Sequence, residues 1–149
     1  MELVRLGLLV LVCALVGCKT TDTAGNGSLA SVVINGSTAE EVRQTTIAVF
    51  GWNGYSQVSD LTFERKGTKW EKLTYGSLGA EEVWIQIRVQ LATKAELWQV
   101  LSCDVYVVEN RGDSIMESER KLQFAKADEC KKILDQIKRR LSLPKPNAS

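Results

Sequence analysis

Residues 83–91 place Val83, Ile85, Ile87, Val89 and Leu91 at every second position, with Trp84, Gln86, Arg88 and Gln90 between them. A side-chain period of two belongs to a strand with one face buried and the other open. A lone strand of this kind cannot hide its apolar face, so the chain must supply partner strands and a covering layer. Residues 97–108 repeat the theme, with Leu97, Leu101, Cys103, Val105 and Val107 expected inward and Trp98, Ser102, Asp104 and Tyr106 outward.

The covering layer is legible too. Near Ala127 an amphipathic helix begins, with Cys130, Ile133, Leu134, Ile137 and Leu141 along one stripe, and Pro144 and Pro146 follow it. A first helix is expected over residues 38–52, where Ala39, Val42, Thr46, Val49 and Phe50 recur at helical spacing. Ser37 and Glu40 stand three apart there, the spacing of a capping box. Before it, residues 30–34 form a β-branched run ending at Asn35-Gly36, a turn dipeptide. Between the helices, Val58, Leu61 and Phe63, a Lys66-Gly67 turn, then Trp70, Leu73 and Tyr75 suggest a hairpin. A further strand is expected within residues 114–124, after the turn at Asn110 to Asp113. The expectation is an α+β two-layer sandwich: an antiparallel sheet of about five strands with two helices packed on one face.

The first 18 residues follow another plan. Arg5 supplies a cation, residues 6–16 are nearly all apolar, and Gly17-Cys18 closes the segment. An apolar run of about 11 residues is short of the roughly 20 needed to span a bilayer as a helix. Leu15-Val16-Gly17-Cys18 resembles the lipobox of bacterial lipoproteins. That resemblance implies thioether diacylation of Cys18, cleavage between Gly17 and Cys18, and in Gram-negative bacteria a third acyl chain on the new amino terminus. Each buried methylene contributes about 0.8 kcal/mol, so two or three chains hold firmly where one is marginal. Lys19 follows the cysteine, where the enterobacterial retention pattern has aspartate, so the resemblance implies passage to the outer membrane, facing the periplasm. The competing readings are an ordinary secretory signal with an incidental Cys18, or a buried amino-terminal helix. The expected organisation is a signal peptide over residues 1–17, a Gly/Thr/Ser-rich tether over 18–30, one α+β domain over 31–142, and a loose tail over 143–149. The element order of that domain is similar to helix-grip and related domains of outer-membrane lipoproteins, including those of the β-barrel assembly machinery. Similarity of element order carries no function.

Composition narrows the chemistry. With 19 basic and 18 acidic side chains the net charge is +1, which gives no field to gather nucleic acid. Histidine is absent, which removes the usual acid-base group near neutral pH and the usual zinc ligand. No phosphate loop, nucleophile elbow or cofactor fingerprint occurs, so neither catalytic residue, cofactor nor metal is assigned. The pairs Glu40-Glu41 and Glu81-Glu82 are expected to be solvated.

Of the four cysteines, Cys13 lies in the signal and Cys18 takes lipid, leaving Cys103 and Cys130, both at core-facing positions. They can form a disulfide between strand and helix, or simply pack as buried thiols. Trp84, Trp98 and Tyr106, on outward strand positions, are candidates for an aromatic binding platform unless another segment covers them. Arg111-Gly112-Asp113 matches an adhesion triplet but is ordinary turn chemistry. Lys131, Lys132, Lys138, Arg139, Arg140 and Lys145 are expected to be solvated helix charges, the last few complementing the helix dipole. The functional expectation is a noncatalytic protein held to the membrane through lipid on Cys18, binding another envelope protein or polymer. The alternative is a carrier of a small apolar ligand between helix and sheet.

Overall fold

The computed structural model describes residues 28–143. The lipobox, Cys18 and the end of the carboxy-terminal tail lie outside the described residues. Nine elements follow one another: β1 (Ala30–Asn35), α1 (Ala39–Trp52), β2 (Ser56–Ser59), β3 (Thr62–Lys66), α2 (Lys69–Tyr75), β4 (Val83–Ala95), β5 (Trp98–Glu109), β6 (Ser118–Leu122) and α3 (Ala127–Leu141). All strand pairings are antiparallel, in the order β1-β5-β4-β3-β2. β4 runs along the whole of β5, so β1 and β6 share the other edge of β5 end to end, against residues 98–103 and 105–109.

The α+β sandwich is therefore present, with six strands and three helices among the described residues rather than about five and two. The extra helix is α2, which replaces the expected second arm of a hairpin. The hairpin lies earlier, between β2 and β3, and turns at Asp60-Leu61 with Leu61 at a φ of 49°. Residues 69–75 become helical because Thr68 caps them. Its hydroxyl accepts from the Glu71 N–H at 3.2 Å, while the Glu71 carboxylate accepts from the Thr68 N–H at 2.8 Å. Trp70 and Leu73 stand three apart, and both are exposed on this short helix. Gly67 permits the sharp entry: its N–H reaches the Val83 carbonyl at 2.7 Å, and a Cβ there would meet that same oxygen at 2.9 Å.

The cap of α1 is shifted by one residue from expectation. Thr38 and Glu41 form the box, and Ser37 is buried beside it. Both pairs have the right spacing, but Glu40 instead accepts from the Gln44 side chain at 2.7 Å. Leu97, expected inward, occupies the tight β4–β5 turn and is exposed.

The helices lie on one sheet face. Val42, Val49 and Phe50 of α1 and Ile133, Leu134 and Ile137 of α3 bury against Val32, Phe63, Ile85, Ile87, Leu101 and Val105. Phe50 stacks on Phe63 with ring centroids 4.2 Å apart, and Tyr55 meets Phe50 edge-on at 5.6 Å. Burying each such side chain contributes on the order of 2 kcal/mol. A helix as short as α3 is marginal in water by itself, so this packing holds it. Cys103 of β5 and Cys130 of α3 are joined as a disulfide with Cα atoms 6.7 Å apart, both sulfurs inside the core.

Candidate functional site

Antiparallel register places side chains of opposed residues on the same face. The face away from the helices therefore carries Trp84 opposite Val108 and Lys66, Gln86 opposite Tyr106 and Glu64, and Arg88 opposite Asp104 and Thr62. No helix covers this side among the described residues. Its aromatic rings are each roofed by an arginine. The Arg88 guanidinium carbon lies 4.1 Å from the Tyr106 ring centroid, and that of Arg111 lies 4.9 Å from Trp84.

Each arginine is in turn neutralised. Arg88 pairs with Glu119 and donates to Gln86 Oε1 at 2.9 Å, while Arg111 pairs with Glu64, whose side chain is almost wholly buried. Lys121 meets Asp104 at 3.0 Å, and Lys66 meets Glu82 at 2.7 Å. The Trp84 indole N–H donates to Glu82 at 2.9 Å. The Lys66 ammonium and that N–H hold the Glu82 carboxyl below the usual carboxylate range. The result is a flat, half-exposed surface of ordered rings and matched charges. Such a surface, with each guanidinium already matched by a carboxylate, has little general attraction for polyanions.

Trp98 does not belong to this cluster. It shares the outward face but sits eight residues along β5 from Tyr106, about 26 Å at strand rise, opposite Asn35 and Ala95. The platform is thus Trp84 with Tyr106, and Trp98 stands half-exposed at the far end of the sheet. Alternation along a strand reveals the face and is silent about proximity.

The Arg111-Gly112-Asp113 triplet is consumed by its own turn. Asp113 accepts from the Ile115 and Met116 N–H groups at 2.9 and 3.0 Å, which keeps its carboxyl below the normal range, while Arg111 is held by Glu64. Lys138, Arg139 and Arg140 end α3 as expected, and Arg140 lies 3.8 Å over the exposed Trp52 ring.

A second constellation joins residues that lie far apart in the sequence. On the helix side, Arg65 of β3 makes two hydrogen bonds to Glu71 of α2 at 2.8 and 2.9 Å, and one to Glu129 of α3 at 3.0 Å. Lys126 bridges the same two carboxylates, meeting Glu129 at 2.7 Å and pairing also with Glu71. The Tyr55 hydroxyl donates to Glu129 at 2.8 Å. Two cations face two carboxylates, so the cluster is neutral. The Arg65 guanidinium drives the Glu71 carboxyl far below its ordinary range, against the opposing effect of burial. Burial pushes the Glu129 carboxyl up, but Lys126, Tyr55 and Arg65 together outweigh it and the net shift is downward. Its signal in the sequence was Arg65 itself, two residues after core Phe63 and hence on the inward face. Saturated in this way, the cluster ties three elements together and presents no vacant acid or base.

Among the described residues no group of three or more metal-binding side chains converges, and no helix is long and apolar enough to cross a membrane. A recess of about 250 Å³ between Gly79, Glu81, Glu82, Asn110, Arg111, Asp113 and Met116 is open to solvent and mostly polar in its lining. No protein family matches the chain, and neither a curated protein nor a solved structure matches it significantly.

Proposed function

We propose that this chain is a lipid-anchored protein of the bacterial cell envelope, held by acyl chains on Cys18, facing the periplasm from the outer membrane. The domain is noncatalytic and docks another envelope protein or polymer on the outer sheet face around Trp84 and Tyr106. The observation that carries the address is the Cys103–Cys130 disulfide, buried between sheet and helix. Disulfides of this kind persist in oxidising compartments, which is where a lipobox would send the chain. The arginine-roofed rings on an uncovered face support the docking role, since aromatic residues and arginine dominate the binding energy of protein interfaces.

The apolar-ligand carrier has weaker support. The space between α1 and the sheet is filled by Phe50 stacked on Phe63, and Val42, Val49 and Phe50 are fully buried. A carrier needs a concave apolar cavity of several hundred Å³ there.

The test is metabolic labelling with a clickable fatty acid, followed by membrane fractionation. The native chain should take the label and sediment with membranes, and Cys18→Ser should lose the label and move to the soluble fraction. A Cys18→Ser chain that still sediments as fully as the native chain would remove the anchor.

A further inference from the structure

One end of the sandwich carries five large apolar side chains that protrude into solvent. Trp70 and Leu73 of α2 are 74% and 77% exposed, Leu78 in the α2–β4 loop is 108% exposed, and Ile115 and Met116 in the β5–β6 loop are 88% and 61% exposed. Hydrogen bonds fasten the two loops to each other at this end. The Ser77 N–H donates to Glu109 at 3.0 Å, the Glu81 N–H to Asn110 Oδ1 at 3.0 Å, and Arg120 reaches the Tyr75 carbonyl at 2.7 Å. Gly79 and Met116 line one recess between the loops. Exposed apolar side chains scattered singly need no explanation, but five gathered on one pole mark a surface that meets something apolar.

We propose that this pole inserts into the interfacial zone of the lipid bilayer, with Trp70, Leu73, Leu78, Ile115 and Met116 as the inserting side chains. The proposal rests on the lipid anchor described above. Two further observations select a bilayer as the occupant. First, β1 runs antiparallel to β5, from Ala30 beside Cys103 to Asn35 beside Trp98. The chain that precedes Ala30 is thus aimed toward the Glu109 end of β5, which is the apolar pole. Nine residues lie between Cys18 and Ser28, and the ten Cα–Cα steps reach at most about 35 Å. The run along β5 from Cys103 to Glu109 is about 20 Å, so the tether spans it while the pole rests on the membrane.

Second, the side chains protrude separately from a two-turn helix and two loops, and of the five Met116 alone borders the recess between those loops. A protein partner would need matching pockets, whereas a fluid acyl boundary conforms to each side chain. Tryptophan at such a boundary keeps its indole N–H among the head groups. The nearby charges are mixed, with Lys66 paired to Glu82 and Glu117 accepting from the Gly112 N–H at 2.6 Å. Insertion of this pole is accordingly driven by apolar contact, with little dependence on anionic lipid.

The test uses the acylated full-length chain, purified from membranes and reconstituted in vesicles of phosphatidylethanolamine and phosphatidylglycerol with brominated acyl chains. Flotation reads the anchor, and quenching of tryptophan emission by bromine reads the pole. The native chain should float and be quenched. Trp70→Phe should float equally and lose most of the quenching, and Leu78→Asp/Ile115→Asp should float while quenching falls to a similar extent. These positions are exposed, so the circular dichroism of the variants should be unchanged. A native chain that floats unquenched, or a Trp70→Phe chain quenched as strongly as the native one, overturns the insertion and leaves the anchor standing. Trp70 shielded from aqueous iodide without bromine quenching also overturns it and assigns the pole to contact between copies of this chain. A native chain that does not float overturns the anchor and the insertion together.

Discussion

Cys103 on β5 and Cys130 on α3 are joined across the two layers of the domain, in a core where the sulfurs have almost no contact with water. The bond closes a loop of 27 residues that contains β6 and the start of α3. Chain-entropy arguments value such a closure at about 3 to 4 kcal/mol. Reduction of the purified domain should lower its unfolding free energy by that amount, read as a fall in the urea midpoint, and Cys103→Ala/Cys130→Ala should then be insensitive to reductant. An unchanged midpoint in strong reductant would show that the bond adds nothing to the folded state.

Glu71 is the hub of the buried ion cluster, with two bonds from Arg65 and one from Lys126. Removing one partner of a fully buried ion pair costs about 3 to 5 kcal/mol, and the loss is smaller here because Arg65 and Lys126 keep Glu129 as a partner. Glu71→Gln should therefore destabilise the domain by about 1 to 3 kcal/mol in equilibrium denaturation, the value of losing hydrogen bonds to a charged acceptor. The folded-state carboxyl is held well below its unfolded value. Its contribution is thus present above the unfolded pKa of about 4.3 and is lost progressively as the pH falls from there toward the folded-state pKa. The native chain should weaken steeply from pH 5 to pH 3 and Glu71→Gln should weaken less. Parallel curves would show that the acid sensitivity has another source.

How far this architecture could be read from the amino acids depended on whether the signal was local. The alternation at residues 83–91 became β4, and the stripe from Cys130 to Leu141 became α3, because period and burial agree within one segment. Residues 69–75 are helical although Trp70, Leu73 and Tyr75 suit either period over so short a run. The Thr68 to Glu71 capping box was the local signal that decides. Arg65 and Glu129 lie 64 residues apart, and only tertiary packing brings them together. Trp98 shares its facing with Trp84 and Tyr106, and the strand register separates them.

Tyr55 gives the opposite pH response. Its phenol lies against Phe50 and donates to Glu129, and burial first, then that hydrogen bond to a carboxylate, pushes its ionisation well above the ordinary tyrosine value. A raised folded-state pKa contributes stability that is complete below the unfolded pKa of about 10 and is lost as the pH rises beyond it. Tyr55→Phe should be less stable than the native chain near neutral pH by about 1 kcal/mol, the usual net value of one hydrogen bond. It should also show a shallower alkaline decline in a series of urea midpoints from pH 8 to pH 11. Identical alkaline slopes would place the sensitive group elsewhere.

The outer sheet face can be tested apart from stability, because its rings lie outside the core that α1 and α3 cover. Trp84 and Tyr106 are half-buried beneath Arg111 and Arg88, so truncating them exposes arginines that keep their carboxylate partners Glu64 and Glu119. Anchor residues of a protein interface cost about 2 kcal/mol or more when truncated, roughly a thirtyfold loss of affinity for each. Trp84→Ala/Tyr106→Ala in the acylated chain should therefore abolish recovery of a stoichiometric partner from solubilised envelopes. Trp98→Ala, about 26 Å away along β5, should leave it intact. If the double variant recovers the partner as fully as the native chain, the rings are surface ornament and the contact lies elsewhere. If Trp98→Ala alone removes it, docking belongs to the opposite end of the sheet, beside Asn35 and Val33.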